Sequence, residues 1–282
     1  IIPPYYIYLK IAYHLSQEAR CGIGNYIIPK ILQKDLLPFQ MNAVSVAARH
    51  LEKRGGVLIS DVVGLGKTMT ATAVAKIFEE TFFTETLIIC PKNIVKMWED
   101  YIYHYQLRAK VVSISKIDKN FLDETRRYRV LIIDESHNLR NREGKRYSIL
   151  KEYIEKNECK VILLTATPYN KSYLDISNQL RLFIHEHKDI GIAPENFIRE
   201  IGGPIEFIAK YQYSPTTLLA FEKSNYSEDW QELLKLYMVR RTRTFIKENY
   251  ATFDNIKKQY FLTFNDGRNE YIPERIPKKI EY

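Results

Sequence analysis

Gly64-Leu65-Gly66-Lys67-Thr68 is the stretch of this chain best suited to chemistry. Small residues let backbone N–H groups curl around phosphate oxygens, and a following helix N-terminus adds partial positive charge. In such a loop Lys67 reaches the β- and γ-phosphates, and the Thr68 hydroxyl can ligate Mg²⁺. The G-x-x-x-x-G-K-[ST] pattern is met except at its first position. Asp61 stands there in place of Gly, with Val62 and Val63 completing the loop.

Asp134-Glu135, at the end of the apolar run Val130-Leu131-Ile132-Ile133, is the second candidate. Two adjacent carboxylates delivered by a core strand can divide the work of phosphoryl transfer. Asp134 can hold Mg²⁺ through its water shell, and Glu135 can orient and deprotonate an attacking water. Taken alone, such a pair is as well read as two surface acids after a core strand; the Gly-Lys-Thr loop upstream is what favours a nucleotide site. Gln40, some twenty residues before the loop, offers an amide donor and acceptor that suit an adenine edge.

These residues need elements to hold them. Gly55-Gly56 followed by an apolar run gives a strand into the loop, and a helix is expected over 69–80. Strands are expected at 86–90, 111–115, 129–133 and 160–164, with helices at 91–105 and 145–156 between them. Continuous apolar runs alternating with helices predict a parallel sheet covered on both faces, an α/β fold. Ligands of such sheets bind at the carboxyl ends of the strands. Asp61, Asp134-Glu135 and Thr165-Ala166-Thr167-Pro168 all fall at such ends.

Elsewhere the chain reads more plainly. A helix starting near Pro38 is expected to run to Leu51. Residues 1–30 are expected to be a flanking segment with a helix at 6–18. Further helices are expected at 175–183, 194–207, 215–223 and 229–238, and 241–282 reads as a linker without regular structure. His185-Glu186-His187 reads as a solvated loop rather than a metal site, since no further ligands accompany it.

The 282 residues carry a net charge of +8, with 45% hydrophobic residues and three cysteines. That composition fits a globular chain with a sizeable core and permits, without requiring, a polyanionic partner. Cys21, Cys90 and Cys159 form no C-x-x-C pair, so neither a disulfide framework nor a zinc site is indicated, and a reducing cytoplasmic setting is expected. No apolar run approaches the ~18 residues of a membrane span. The opening Ile1-Ile2-Pro3-Pro4 has no starting Met, and the sequence reads as a piece of something longer.

Taken together, Gln40, Asp61 to Thr68, Cys90-Pro91-Lys92 with Trp98, Asp134-Glu135-Ser136-His137 and Thr165 to Pro168 occur in the order of the motifs of helicase superfamily two. Asp61 before Gly-Leu-Gly-Lys-Thr, and Pro91 followed by Trp98, resemble its SWI/SNF-type DNA translocases, which commonly have Asp at the first loop position. Met238-Val239-Arg240-Arg241-Thr242 resembles the basic segment that this group carries between its two motor lobes. More loosely, the set also resembles bacterial helicase-like ATPases fused to a phospholipase D-like domain.

The resemblance implies a RecA-like P-loop lobe over 31–185, a helical insertion over 186–240, and 241–282 leading toward a second RecA-like lobe absent from this chain. It implies ATP and Mg²⁺ as cofactors and double-stranded DNA as partner. Gln40 would read adenine; residues 61–68 would bind ATP; Thr68 and Asp134 would hold Mg²⁺; Lys67, Asp134 and Glu135 would be catalytic. His137, Thr165 and Thr167 would couple nucleotide state to DNA. Pro91, Lys92, Trp98, Arg240 and Arg241 are the implied DNA contacts. No arginine finger is recognised, so hydrolysis by this chain alone is expected near background. A strand-separating helicase on DNA or RNA, and a nucleotide-gated DNA-binding module without turnover, are the alternatives; a P-loop kinase is disfavoured by the Asp-Glu-Ser-His and Thr-Ala-Thr sets.

Overall fold

The computed structural model describes residues 26–272, apart from 63, 170, 171, 256 and 265. The helix expected at 6–18 and the segment 275–278 therefore lie outside the described residues, as does Val63.

After one helical turn at Lys30–Gln33 comes α1 (Pro38–Arg54), whose Pro38 sits at the first helical position and whose end is Gly55 in a left-handed conformation, φ 83°. Five strands and three helices follow: β1 (Gly56–Ile59), α2 (Lys67–Phe82), β2 (Thr86–Cys90), α3 (Val95–His104), β3 (Ala109–Ser113), β4 (Val130–Asp134), α4 (Lys145–Asn157) and β5 (Lys160–Leu164), with one further helical turn at Phe121–Glu124. Every pairing among them is parallel, and the order across the sheet is β3-β2-β4-β5-β1-β6, where β6 is Met238–Val239.

Alternation along the strands explains why the sheet is covered on both sides. Val57, Ile59, Ile88, Ile132 and Ile162 pack with Val44, Val74 and Trp98 from α1, α2 and α3. Leu58, Ile89, Ile133 and Leu163 point the other way, onto Tyr147, Leu150 and Tyr153 of α4. Cys90 and Cys159 are both buried free thiols, each pushed up to about 12 by burial.

After β5 come α5 (Leu174–Leu180), α6 (Glu195–Glu200), α7 (Pro204–Tyr211), α8 (Leu218–Phe221) and α9 (Ser227–Tyr237). The single helix expected over 194–207 is two, because Gly202 and Gly203 adopt φ 96° and 113° and break it. Ile176, Leu180, Leu218, Phe221, Trp230 and Leu233 give this helical part its own core, with Tyr173 stacked on Trp230 at 5.2 Å.

Two features depart from expectation. The residues read as an inter-lobe basic segment return to the sheet: Leu58 and Ile59 of β1 pair with Met238 and Val239. The stretch read as a linker instead holds α10 (Arg243–Tyr250) and an antiparallel sheet of β7 (Thr252–Asp254), β8 (Gln259–Thr263) and β9 (Asn269–Tyr271). These strands are short and largely exposed, with only Leu262 buried, so they show neither an apolar run nor a clean period of two. The Thr242 hydroxyl accepting from Phe245 N–H at 3.2 Å is a readable cap for α10. Among the described residues no helix is long and apolar enough to cross a membrane.

Candidate functional site

The carboxyl ends of β1, β4 and β5 meet at one edge of the sheet, and the residues singled out above gather there. Between β1 and α2 the loop turns on Gly64 and Gly66, at φ 87° and 78°. The positive φ favours glycine at 66, and a Cβ there would also lie 2.2 Å from Gln40 Nε2 and displace that amide. Lys67 opens α2, and its ammonium donates to the Asp61 carbonyl across the loop at 3.0 Å. The N-terminal turn of α2 thus faces the space the loop encloses, with the half-buried Thr68 beside it.

Gln40 is held by its neighbours. Its Oε1 accepts from Leu37 N–H at 2.8 Å, and its Nε2 donates to the Leu65 carbonyl at 3.2 Å. Its amide ties α1 to the loop and lines a cavity of about 500 Å³ on that side.

Asp61 has a partner that sequence reasoning did not pair with it. Its carboxylate is fully buried and receives Arg241 through the backbone N–H at 2.8 Å, Nε at 3.1 Å, and Nη2. Arg241 Nη1 also donates to the Phe39 carbonyl, and the guanidinium lies over the Phe39 ring at 5.1 Å. Arg241 is therefore structural, and its expectation as a DNA contact is corrected by its burial. Arg240 beside it is exposed.

At the end of β4, Asp134 is buried and accepts two hydrogen bonds. Glu135 N–H donates to Oδ1 at 2.8 Å and Trp98 Nε1 donates to Oδ2 at 2.9 Å. Burial raises its pKa, while the bonds from Trp98 and Glu135 and the nearby Lys67 charge pull it back. Trp98 is wholly buried, so it supports the acid rather than touching DNA. Lys92, six residues earlier, is exposed.

Glu135 adopts φ 52°, the left-handed region that a side chain with a Cβ seldom enters. Asn138 holds it there, donating N–H and Nδ2–H to its carbonyl at 3.0 and 2.9 Å. The Glu135 carboxylate lies 3.1 Å from His137 Nδ1, which in turn lies 3.3 Å from Thr165 Oγ1. Thr165 is buried, its N–H bonded to the Ile59 carbonyl, and its hydroxyl accepts from Thr167 N–H at 3.2 Å. A continuous polar chain therefore runs from Glu135 on β4 to the exposed Thr167 after β5.

A second link was not legible in the sequence. Buried Gln179 on α5 receives the Ser136 hydroxyl at 2.8 Å and donates to the Pro168 and Asp175 carbonyls at 2.5 and 2.9 Å. A lone Gln in a helix carries no motif signal; only its complete burial marks it.

The donor set suits a magnesium nucleotide. Two glycines in the left-handed region leave room for phosphate, the α2 N-terminus and Lys67 supply positive charge, and Thr68 and Asp134 are hard oxygen ligands of the kind Mg²⁺ takes.

Comparison with known proteins bears on the family and the fold. A family described as SNF2-related domain matches residues 39–119 and 111–273. The chain is 30% identical over 168 residues to mouse "DNA annealing helicase and endonuclease ZRANB3", covering 50% of this chain and 15% of that protein. It is 26% identical over 250 residues to the Drosophila melanogaster "SWI/SNF-related matrix-associated actin-dependent regulator of chromatin subfamily A-like protein 1", covering 80% and 30%. In fold it is similar to "Sulfolobus solfataricus SWI2/SNF2 ATPase core in complex with dsDNA", with a TM-score of 0.52 and 20% identity, covering 80% of this chain and 50% of that one. The chain thus spans half of that solved structure and less than a third of either relative.

Proposed function

This chain belongs to the SNF2-related domain family, and from that premise we propose that it is the ATP-binding first lobe of a motor that hydrolyses ATP and moves along double-stranded DNA. The observation that carries the reading is the convergence at one sheet edge of the Gly64–Thr68 loop, the Asp134–Glu135 pair and the chain from Glu135 through His137 to Thr165. No one of these is specific; it is their convergence that supports the reading.

The loop N–H groups and Lys67 would hold the phosphates. Thr68 and Asp134 would hold Mg²⁺, which when bound supplies charge neutralisation for phosphoryl transfer. Glu135 would take the proton of the attacking water, and its contact with His137 orients it for that step. His137 and Thr165 then report the state of Glu135 to Thr167 at the surface.

A partner surface adjoins the site. Beyond the carboxyl ends of β2, β3 and β4 lies a groove of about 1110 Å³ lined by four cations, Lys92, Lys119, Lys145 and Arg146, with Ser115 and Asn141, and by two acids, Asp118 and Glu143. The cationic excess and the small polar groups suit a phosphate backbone rather than base edges. A Sulfolobus relative of the same fold is described in complex with duplex DNA, which supports DNA as the occupant. The helices within 174–237 are proposed as an insertion between β5 and β6 of the sheet, and a second RecA-like lobe as the partner that completes the motor.

The test compares Lys67→Ala with Glu135→Gln in the full-length protein carrying both motor lobes, since hydrolysis by this chain alone is expected near background. Lys67→Ala should lose binding of a fluorescent ATP analogue about tenfold or more, whereas Glu135→Gln should bind it and fail to release phosphate. Wild-type nucleotide binding by Lys67→Ala, or wild-type phosphate release by Glu135→Gln, would overturn the assignment.

A further inference from the structure

The cavity of about 500 Å³ beside the phosphate loop has two unlike ends. One end is the loop itself, Gly64 to Gly66, where charge is wanted. The rest is mostly apolar and aromatic, with the carboxylates of Asp35 and Glu270 also on the lining, and much of it comes from the part of the chain that read as a linker: Ile246 of α10, Leu262 of β8, and Phe264, Tyr271 and Ile272 around β9.

This wall is docked rather than loosely adjacent. Ile246 and Leu262 are buried in one cluster with Leu37 and Phe39, and Leu65, Phe264 and Ile272 pack against it. Arg268 Nη2 donates to the Lys34 carbonyl at 2.9 Å, and Asn42 Nδ2 donates to Tyr250 Oη at 3.0 Å. Arg243 brings a guanidinium to the phosphate end, where its Nη2 would lie 3.4 Å from a Cβ on Gly64. A slot of this size falls within the range that holds one small ligand. Its apolar end suits a flat heteroaromatic ring, and its charged end suits phosphate.

Resting on the reading that the loop holds the nucleotide's phosphates, we propose that residues 243–272 form the outer wall of the nucleotide site, with the purine base packed against Phe264 and Ile272. The small antiparallel sheet is then a part of the ATP site and not a spacer. Base binding requires it to be docked on α1, so the nucleotide and the C-terminal sheet stabilise one another.

The experiment separates base from phosphate in the full chain. Binding of a fluorescent ATP analogue and of inorganic tripolyphosphate, the latter by competition, is measured for Phe264→Ala, Ile272→Ala and Lys67→Ala. The wall variants should lose ATP affinity about tenfold and keep that for tripolyphosphate, while Lys67→Ala loses both. Ile272→Trp adds a readout independent of affinity: its fluorescence should change with adenosine or ATP and not with tripolyphosphate. Unchanged ATP binding by both wall variants, an equal loss of both ligands, or an unresponsive Trp would overturn the wall. Intact binding of both ligands by Lys67→Ala would instead overturn the phosphate-loop reading.

Discussion

Arg241 closes on Asp61 from 180 residues further along the chain, giving it a backbone N–H at 2.8 Å and an Nε at 3.1 Å on the same carboxylate oxygen. The pair fastens the first residue of the phosphate loop to the end of β6. It also explains Asp at a loop position that usually takes Gly: the side chain turns into the interior to meet a guanidinium instead of facing phosphate.

Breaking a buried pair by removing one partner leaves the other charge uncompensated, at a cost of about 3–5 kcal/mol. Asp61→Ala and Arg241→Met should each lower the melting temperature clearly. The double variant should lose less than the two single losses added together, because neither charge is then stranded. Thermal melts of the four proteins decide this; strictly additive losses would mean the pair is not coupled.

The Trp98–Asp134 bond concerns metal rather than stability. Burial already lifts the Asp134 pKa, and the indole N–H stabilises the charged form. Trp98→Phe removes that donor, so the pKa rises further and less carboxylate is available under mildly acidic conditions. A hydrogen bond to a charged group contributes about 1.5–3 kcal/mol, so its loss shifts the titration upward. Mg²⁺-dependent nucleotide binding should therefore fall off at higher pH in the variant than in the parent. Titrating Mg²⁺ at several pH values checks it, and superimposable pH profiles would remove Trp98 from the site.

His50 sets a second pH window. Burial, with Arg54, Arg49 and Lys53 adding to it, lowers its pKa from 6.5 to about 4. Its Nδ1 lies 3.1 Å from Arg54 Nη1, a contact that suits the neutral ring accepting. A depressed folded-state pKa means that its stabilising effect is present above 6.5 and is lost as pH falls toward 4. His50→Gln should flatten the acid side of the stability curve across that window. Urea midpoints from pH 7.5 to 4 measure it; an unchanged acid limb would show that carboxylates alone govern it.

Legibility in the sequence followed the physics of each element. The apolar runs 86–90 and 160–164 are strands with those bounds, because a strand buried on both faces leaves nothing polar to confuse its ends. The loop and the Asp134–Glu135 pair stand out because phosphate and Mg²⁺ demand particular residue types at particular spacing. Arg241 was misplaced because two adjacent arginines look alike in a sequence, while only a structure shows which one turns inward. Gln179 and the 243–272 wall act through tertiary contacts between distant segments, for which a single chain carries no local pattern.

The groove at the ends of β2 to β4 yields the last prediction. Lys92 is exposed on its rim, whereas Trp98 and Arg241 are buried, so these three of the five residues first considered as DNA contacts should behave differently. A cation that neutralises one phosphate releases one counterion, so its loss should lower the slope of log affinity against log salt by roughly 1. Lys92→Ala and Lys145→Ala should each do this, and by similar amounts on unrelated duplexes, because backbone contacts carry no base information. Trp98→Phe should leave the slope unchanged, since that side chain meets Asp134 and no solvent. Fluorescence anisotropy with two duplexes of unrelated sequence, at four or more salt concentrations, separates the cases. A slope unaffected by either lysine would move the DNA surface away from this groove, and a strong preference for one duplex would point to base readout, which a motor stepping along any sequence does not need.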